Sequence, residues 1–212
     1  LGLTLTVAST FAPQLIANLQ EKNPTLHIHV HVDNTQSIEA QLLENELDIA
    51  IVEGDIHNDN IIHEAIIPDR LALVCNKDHE LADKDIIHPT DLYNQNFICR
   101  EKGSGTRAML EQFMNLYKTP YHICWQSTSW ESIKQAVINN QGITLISARL
   151  IEEELRNLNL KTIRINNHTW NRFFSLCHHK NKVWNENLEV FKQEVEKQSY
   201  CPIIELLKNK RI

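Results

Sequence analysis

The stretch Glu101-Lys102-Gly103-Ser104-Gly105-Thr106-Arg107 decides how this chain reads. The sequence has only five glycines, and two of them flank a serine here. Ahead of it lies an apolar, strand-like piece, Asn96 to Cys99. Behind it, Ala108, Leu110, Phe113, Met114 and Tyr117 fall on one face of a predicted helix. A strand, a tight glycine turn and a helix opening on Ser or Thr leave several backbone N–H groups unpaired. Together with the positive end of the helix dipole they favour an oxyanion or a carbonyl oxygen. Arg107, in the first turn, opposes the dipole but can reach a ligand. The alternative reading is an ordinary turn with Ser104 or Thr106 as N-cap.

Similar turns recur on both sides of this stretch. Leu3 to Ala8 reads as a buried strand followed by Ser9 and Thr10, and Pro13 then suits the first turn of a helix running to about Lys22. Leu26 to Val32 alternates, with His27, His29 and His31 on one face. Alternate residues on a strand lie ~6–7 Å apart, too far for three of them to close on one ion, so a solvated face is expected. A helix from Ile38 to Asn45 and a strand from Leu47 to Val52, ending in Glu53 and Gly54, complete a strand–helix–strand pattern. Ile61 to Ile67 and Arg70 to Cys75 read as two strands around Pro68 and Asp69. Later, Ser129 caps a helix from Trp130 to Asn140 with Gly142 as its C′ residue, and Ser147 caps another from Ala148 to Asn157. Strands at Lys161 to Ile165 and Arg172 to His178, a helix from Asn185 to Gln198 and a short helical tail to Ile212 close the chain.

The whole predicts an α/β protein of two Rossmann-like halves, residues 1–75 with 176–212 and residues 76–175, joined by two crossover strands. Ligands in such sheets bind beyond the carboxyl ends of the strands. The expected contacts in a cleft between the halves are Ser9, Thr10, Thr35, Gly103, Ser104, Gly105, Thr106, Ser129 and Ser147, with Arg100, Arg107, Glu53 and Trp130 as further candidates. Such a set offers hydroxyls and amides but little acid or base, which suits binding better than catalysis.

Catalytic motifs fail in turn. Lys102 and Thr106 occupy the outer positions of a Gly-x-Ser-x-Gly elbow, and there is no P-loop. His63-Glu64 and His79-Glu80 lack the second histidine of a zinc helix, and Glu101 and Asp69 find no partner by spacing. Trp125, Trp170 and Trp184 read as core or interface residues. Five separated cysteines (75, 99, 124, 177, 201) point to reduced thiols in a cytoplasmic protein rather than a disulfide frame or a zinc site. A net charge of −6 makes the chain a poor polyanion binder. No leader and no apolar run of membrane length is visible.

These segments, in order, resemble the effector-binding domain of LysR-type transcriptional regulators from Leu3 to about Val195. The resemblance rests on Val7-Ala8-Ser9-Thr10, on Leu47-Asp48-Ile49-Ala50-Ile51-Val52-Glu53-Gly54, on Leu71-Ala72-Leu73-Val74 and on Arg100 through Arg107. It also rests on Ser129 to Val137 and on Gly142 to Ser147. It implies two subdomains of periplasmic-binding-protein type II with a small-molecule co-inducer between them and no cofactor. It further implies side-by-side homodimers, with tetramers in the full-length regulator, and DNA contact only through an N-terminal winged helix-turn-helix that this chain lacks. The nearby Arg100, Lys102 and Arg107 suggest an anionic co-inducer. A solute receptor or an enzyme on the same two-lobed fold is the alternative. Between Thr10 and Pro24 the chain is about four residues short of the family, roughly one helical turn.

Overall fold

The computed structural model describes residues 1–208, with side chains to residue 205. In chain order the elements are β1 (Gly2–Thr4), α1 (Leu5–Thr10), α2 (Ala12–Lys22), β2 (His31–Asp33), α3 (Thr35–Leu43), β3 (Ala50–Glu53) and β4 (Ile61–Asn76). They continue with β5 (Asn96–Cys99), α4 (Gly105–Leu116), β6 (His122–Gln126), α5 (Trp130–Ile138), β7 (Thr144–Ser147) and α6 (Glu152–Arg156). The last are β8 (Leu160–Ile163), β9 (Trp170–His179), α7 (Glu186–Glu196) and α8 (Pro202–Lys208).

The chain divides into two compact units. Unit 1 is Leu1–Asp69 with Arg172–Pro202, and unit 2 is Arg70–Asn171 with the segment from Ile203. The chain passes between them inside β4 and β9, the two long strands. Both passages come earlier in those strands than the expected 75/76 and 175/176. The described residues from Ile203 fall in unit 2, where the expectation put them with the first half. The final residues of the expected tail helix lie outside the described residues.

Unit 1 is a strand ladder with β1 parallel to β2 (Gly2↔His31) and to β3 (Gly2↔Ala50), while β3 runs antiparallel to β9 (Ala50↔Cys177). The β1 strand is much shorter than the run Leu3–Ala8 suggests. It stops at Thr4, and Leu5–Thr10 turns into helix. Thr and Val have weak helix propensity, yet here tertiary packing prevails: Leu3, Val7, Leu15, Leu19, Phe174 and Phe191 bury together. Burying one such side chain fully is worth about 1.5–3 kcal/mol. β2 is likewise shorter than the alternating stretch predicts; the Leu1 amine donates to His29 O and His31 N–H to Leu1 O. His27, His29 and His31 are exposed.

In unit 2, β4 pairs antiparallel with β7 (Leu71↔Ser147) and with β8 (Leu73↔Ile163), and β5 pairs parallel with β6. Its core gathers Leu71, Leu73, Phe97, Leu110, Phe113, Leu145 and Trp170. The two strands expected around Pro68 are one continuous strand, β4. The left-handed residue after α5 is Asn140 (φ 55°), not Gly142. Gly142 serves a different end, because a Cβ there would meet Asn96 O at 2.6 Å. The helix expected at Ala148–Asn157 is broken into a 3-10 turn, Ala148–Leu150, and α6.

Candidate functional site

Unit 2 assembles most of the expected residues. Ser104 is the N-cap of α4, and Gly103, at φ 90°, makes the turn before it in a conformation that side chains avoid. The Ser104 side chain makes no capping bond. Its Oγ is buried without a hydrogen-bond partner. Gly105 and Thr106 are buried at the first positions of α4. At the end of β5, Arg100 is fully buried and gives Nε and Nη2 to the Glu101 carboxylate at 2.8 and 2.7 Å. Its third nitrogen, Nη1, is buried with no partner.

The Arg100 guanidinium lies over the Trp130 ring, 4.7 Å from its centroid, close enough for a cation–π contact. Trp130 opens α5, is 5% exposed, and its indole Nε1–H is also buried without a partner. A buried polar group left unpaired costs about 1–3 kcal/mol. Arg100 and Trp130 are in contact and both have a donor left over, and Ser104 holds a third unpaired donor in the same unit.

The other candidates in unit 2 are occupied. Ser129 accepts the Ser132 N–H as the α5 cap, and Ser147 accepts the Arg149 N–H. Arg107 donates to Glu111 (2.7 Å), to Gln126 (2.7 Å) and to Arg100 O (3.2 Å), so it braces α4 against the ends of β5 and β6 rather than reaching for a ligand. Glu101 is bound to Arg100 and is no free base.

In unit 1 the hydroxyl turn is not at Ser9 and Thr10. Ser9 is exposed, and Thr10 Oγ1 donates back to Thr6 O at 2.7 Å inside α1. The strand end and helix start fall instead on Thr4 and Thr6, whose Oγ1 atoms are buried with no partner. Sequence reasoning missed both. Their signal is the spacing they share with Ser104 and Thr106, a hydroxyl residue and a threonine separated by one position. Reading the turn from Thr6 instead of Thr10 also lengthens the stretch before Pro24 by about one helical turn, which is the expected deficit. Thr35, at the start of α3, donates to Glu53 O at 2.6 Å. Glu53 is wholly buried and pairs with Arg172 (3.1 Å), which also donates to Asp69 (2.7 Å). Glu53 therefore belongs to a structural ion cluster.

Burial pushes the Cys75 thiol up to about 11 and the Cys99 and Cys177 thiols up to about 12. Those three are inert apolar groups at neutral pH. Among the described residues no cluster of His, Cys, Asp and Glu could hold a metal ion, and no helix is long and apolar enough to cross a membrane.

A cavity of about 740 Å³ lies in unit 1 beside Leu26–His31, Asp48 and Leu188. It contains none of the unpartnered groups above, so chemistry and volume point to different places. The unpartnered donors identify the site better, because an open slot beside an edge strand needs no ligand to explain it.

The LysR substrate binding domain profile matches residues 1–199. The regulator CysL of Bacillus subtilis is 27% identical over 191 residues, which cover 90% of this chain and 64% of that protein. The chain thus spans somewhat less than two thirds of that relative. Among solved structures, the regulatory domain of Synechocystis CcmR in complex with 2-PG superposes with a TM-score of 0.86 at 24% identity, covering 95% of this chain and 96% of that one. The effector-binding domain of QuiR in complex with shikimate gives 0.78 at 21%, covering 93% and 94%. At these identities the structures establish the fold, the type II periplasmic-binding-like one.

Proposed function

The chain belongs to the LysR substrate-binding domain family, and from that membership we propose that it senses a small anionic metabolite for a LysR-type transcriptional regulator. The observation that carries the anion preference is the unfilled donor set of unit 2: Arg100 Nη1, Trp130 Nε1 and Ser104 Oγ, each buried without a partner. In this reading the ligand's carboxylate or phosphate takes hydrogen bonds from them, the one from Arg100 charge-assisted. Glu101 keeps the guanidinium oriented and offsets part of the cost of its burial, while Trp130 holds it from the face.

The molecules held by the CcmR regulatory domain (2-PG) and the QuiR effector-binding domain (shikimate) support the reading, since both domains share this fold. Binding would shift the regulator between states in proportion to its difference in affinity for them. DNA contact falls to other parts of the regulator, in keeping with a net charge of −6 here. Pairing into homodimers, and tetramers in the full-length regulator, belongs to the same reading.

Calorimetry of the domain against 2-PG, shikimate and inorganic phosphate, with shikimate methyl ester as the neutral control, tests the proposal. At least one anion is expected to bind roughly tenfold or more tighter than the ester, the about 1.4 kcal/mol of a single charge-assisted contact. Equal affinity for acid and ester, or binding of the ester alone, would remove the anion reading.

A further inference from the structure

A second cavity, about 460 Å³, lies wholly within unit 2 and shares no lining residue with the Arg100 group. It opens where β8 leaves β4. The two strands pair from Asn76↔Leu160 to Leu73↔Ile163, after which the chain peels away through residues 164–169 and returns at Trp170. The floor is apolar, with Leu71, Ile165 and Trp170, and the polar walls include Arg70, Arg164 and His168.

Two features of those walls are unexplained by the fold. The Arg70 guanidinium is half-buried and makes no hydrogen bond or ion pair with any described residue, and burial lowers its pKa. Each other buried or half-buried arginine discussed above has an acceptor: Arg172 has two carboxylates, Arg107 and Arg100 have one each. His168 stacks edge-on against Trp170 (4.4 Å between centroids) and lies tilted against Phe113 (4.5 Å), and its Nε2 is buried with no partner. Arg164, by contrast, is paired with Asp85 at the surface. An unpaired, partly desolvated cation that lines the same cavity as two aromatic rings is a poor structural element and a good receptor for a flat anion.

We propose that this cavity is a second ligand site, taking a small aromatic or unsaturated carboxylate. The carboxylate pairs with Arg70, and the ring lies against Trp170 and His168. The site is independent of the anion reading at Arg100, and either can stand without the other.

Benzoate is the probe, with benzamide supplying the ring alone and acetate the anion alone. In ¹H–¹³C spectra of the unmodified domain, benzoate is expected to shift the His168 ring resonances saturably. Benzamide and acetate should each bind roughly tenfold or more weakly. Arg70→Gln should reduce benzoate affinity, read at the His168 ring, at least tenfold, and Arg70→Lys less. The inference is overturned if benzoate leaves the His168 ring unmoved or binds Arg70→Gln as well as the parent. It also fails if Arg100→Gln abolishes benzoate binding, which would place the ligand at the first site. The His168 titration uses the unmodified protein and so decides the matter even if Arg70→Gln does not fold.

Discussion

Arg172 in unit 1 and Arg100 in unit 2 are both buried arginines resting on an aromatic ring, Phe174 at 5.5 Å and Trp130 at 4.7 Å from the centroids. They differ in what surrounds the rest of the guanidinium. Arg172 meets two carboxylates, Glu53 and Asp69, each itself buried. Arg100 meets one, Glu101, and keeps Nη1 without a partner, and the indole N–H of Trp130, whose ring it covers, is in the same state. The first cluster has more negative than positive charge and is closed to a further anion. The second is neutral as a pair and still has donors to give. The same residue type, equally buried, thus serves the fold in one unit and is left open to a ligand in the other. Counting acceptors separates the roles where burial does not.

Substitutions can break this contrast. Arg172→Met should have the largest effect, leaving two buried carboxylates without their cation. Breaking a buried pair in this way costs about 3–5 kcal/mol, read as a fall in the urea unfolding midpoint. The selectivity of any folded Arg172→Met for acid over ester should remain, and a loss below about 1 kcal/mol would show that the cluster is not structural. Arg100→Gln should be milder for stability and specific for ligand. Losing a hydrogen bond from a charged donor is worth about 1.5–3 kcal/mol, so calorimetry should show anion affinity falling roughly 10- to 150-fold with ester affinity unchanged. A uniform loss for acid and ester would assign Arg100 to the fold, as Arg172 is.

Much of this was legible in the residues. The glycine-flanked serine predicted β5, the turn and α4, and β5 (Asn96–Cys99) and the α4 N-cap (Ser104) fall where the pattern puts them. Arg100 and Trp130 stood among the candidates because they flank turns. Sequence could not rank Arg100 above Arg107, since only the folded chain brings Glu111 and Gln126 to Arg107 and leaves Arg100 Nη1 unpaired. The error at Ser9 and Thr10 has a clear cause: Leu3 to Ala8 has strand composition, and only the packing of Val7 among Leu15, Leu19 and Phe174 makes a helix of it. Pro68 misled in the opposite way, because a proline between two apolar runs reads as a break, yet β4 passes through it. The unpaired Arg70 guanidinium carries no sequence signal at all, because which charges lack partners is decided by tertiary contacts.

The most direct measurement follows the Trp130 indole N–H in ¹H–¹⁵N spectra while 2-PG, shikimate and inorganic phosphate are titrated in. The chain has four tryptophans, so Trp130→Phe assigns the resonance by its disappearance. A charge-accepting hydrogen bond should move that resonance downfield, saturating with the same affinity that calorimetry gives for the anion. An anion that saturates the domain while the Trp130 signal stays where it was would contradict the account.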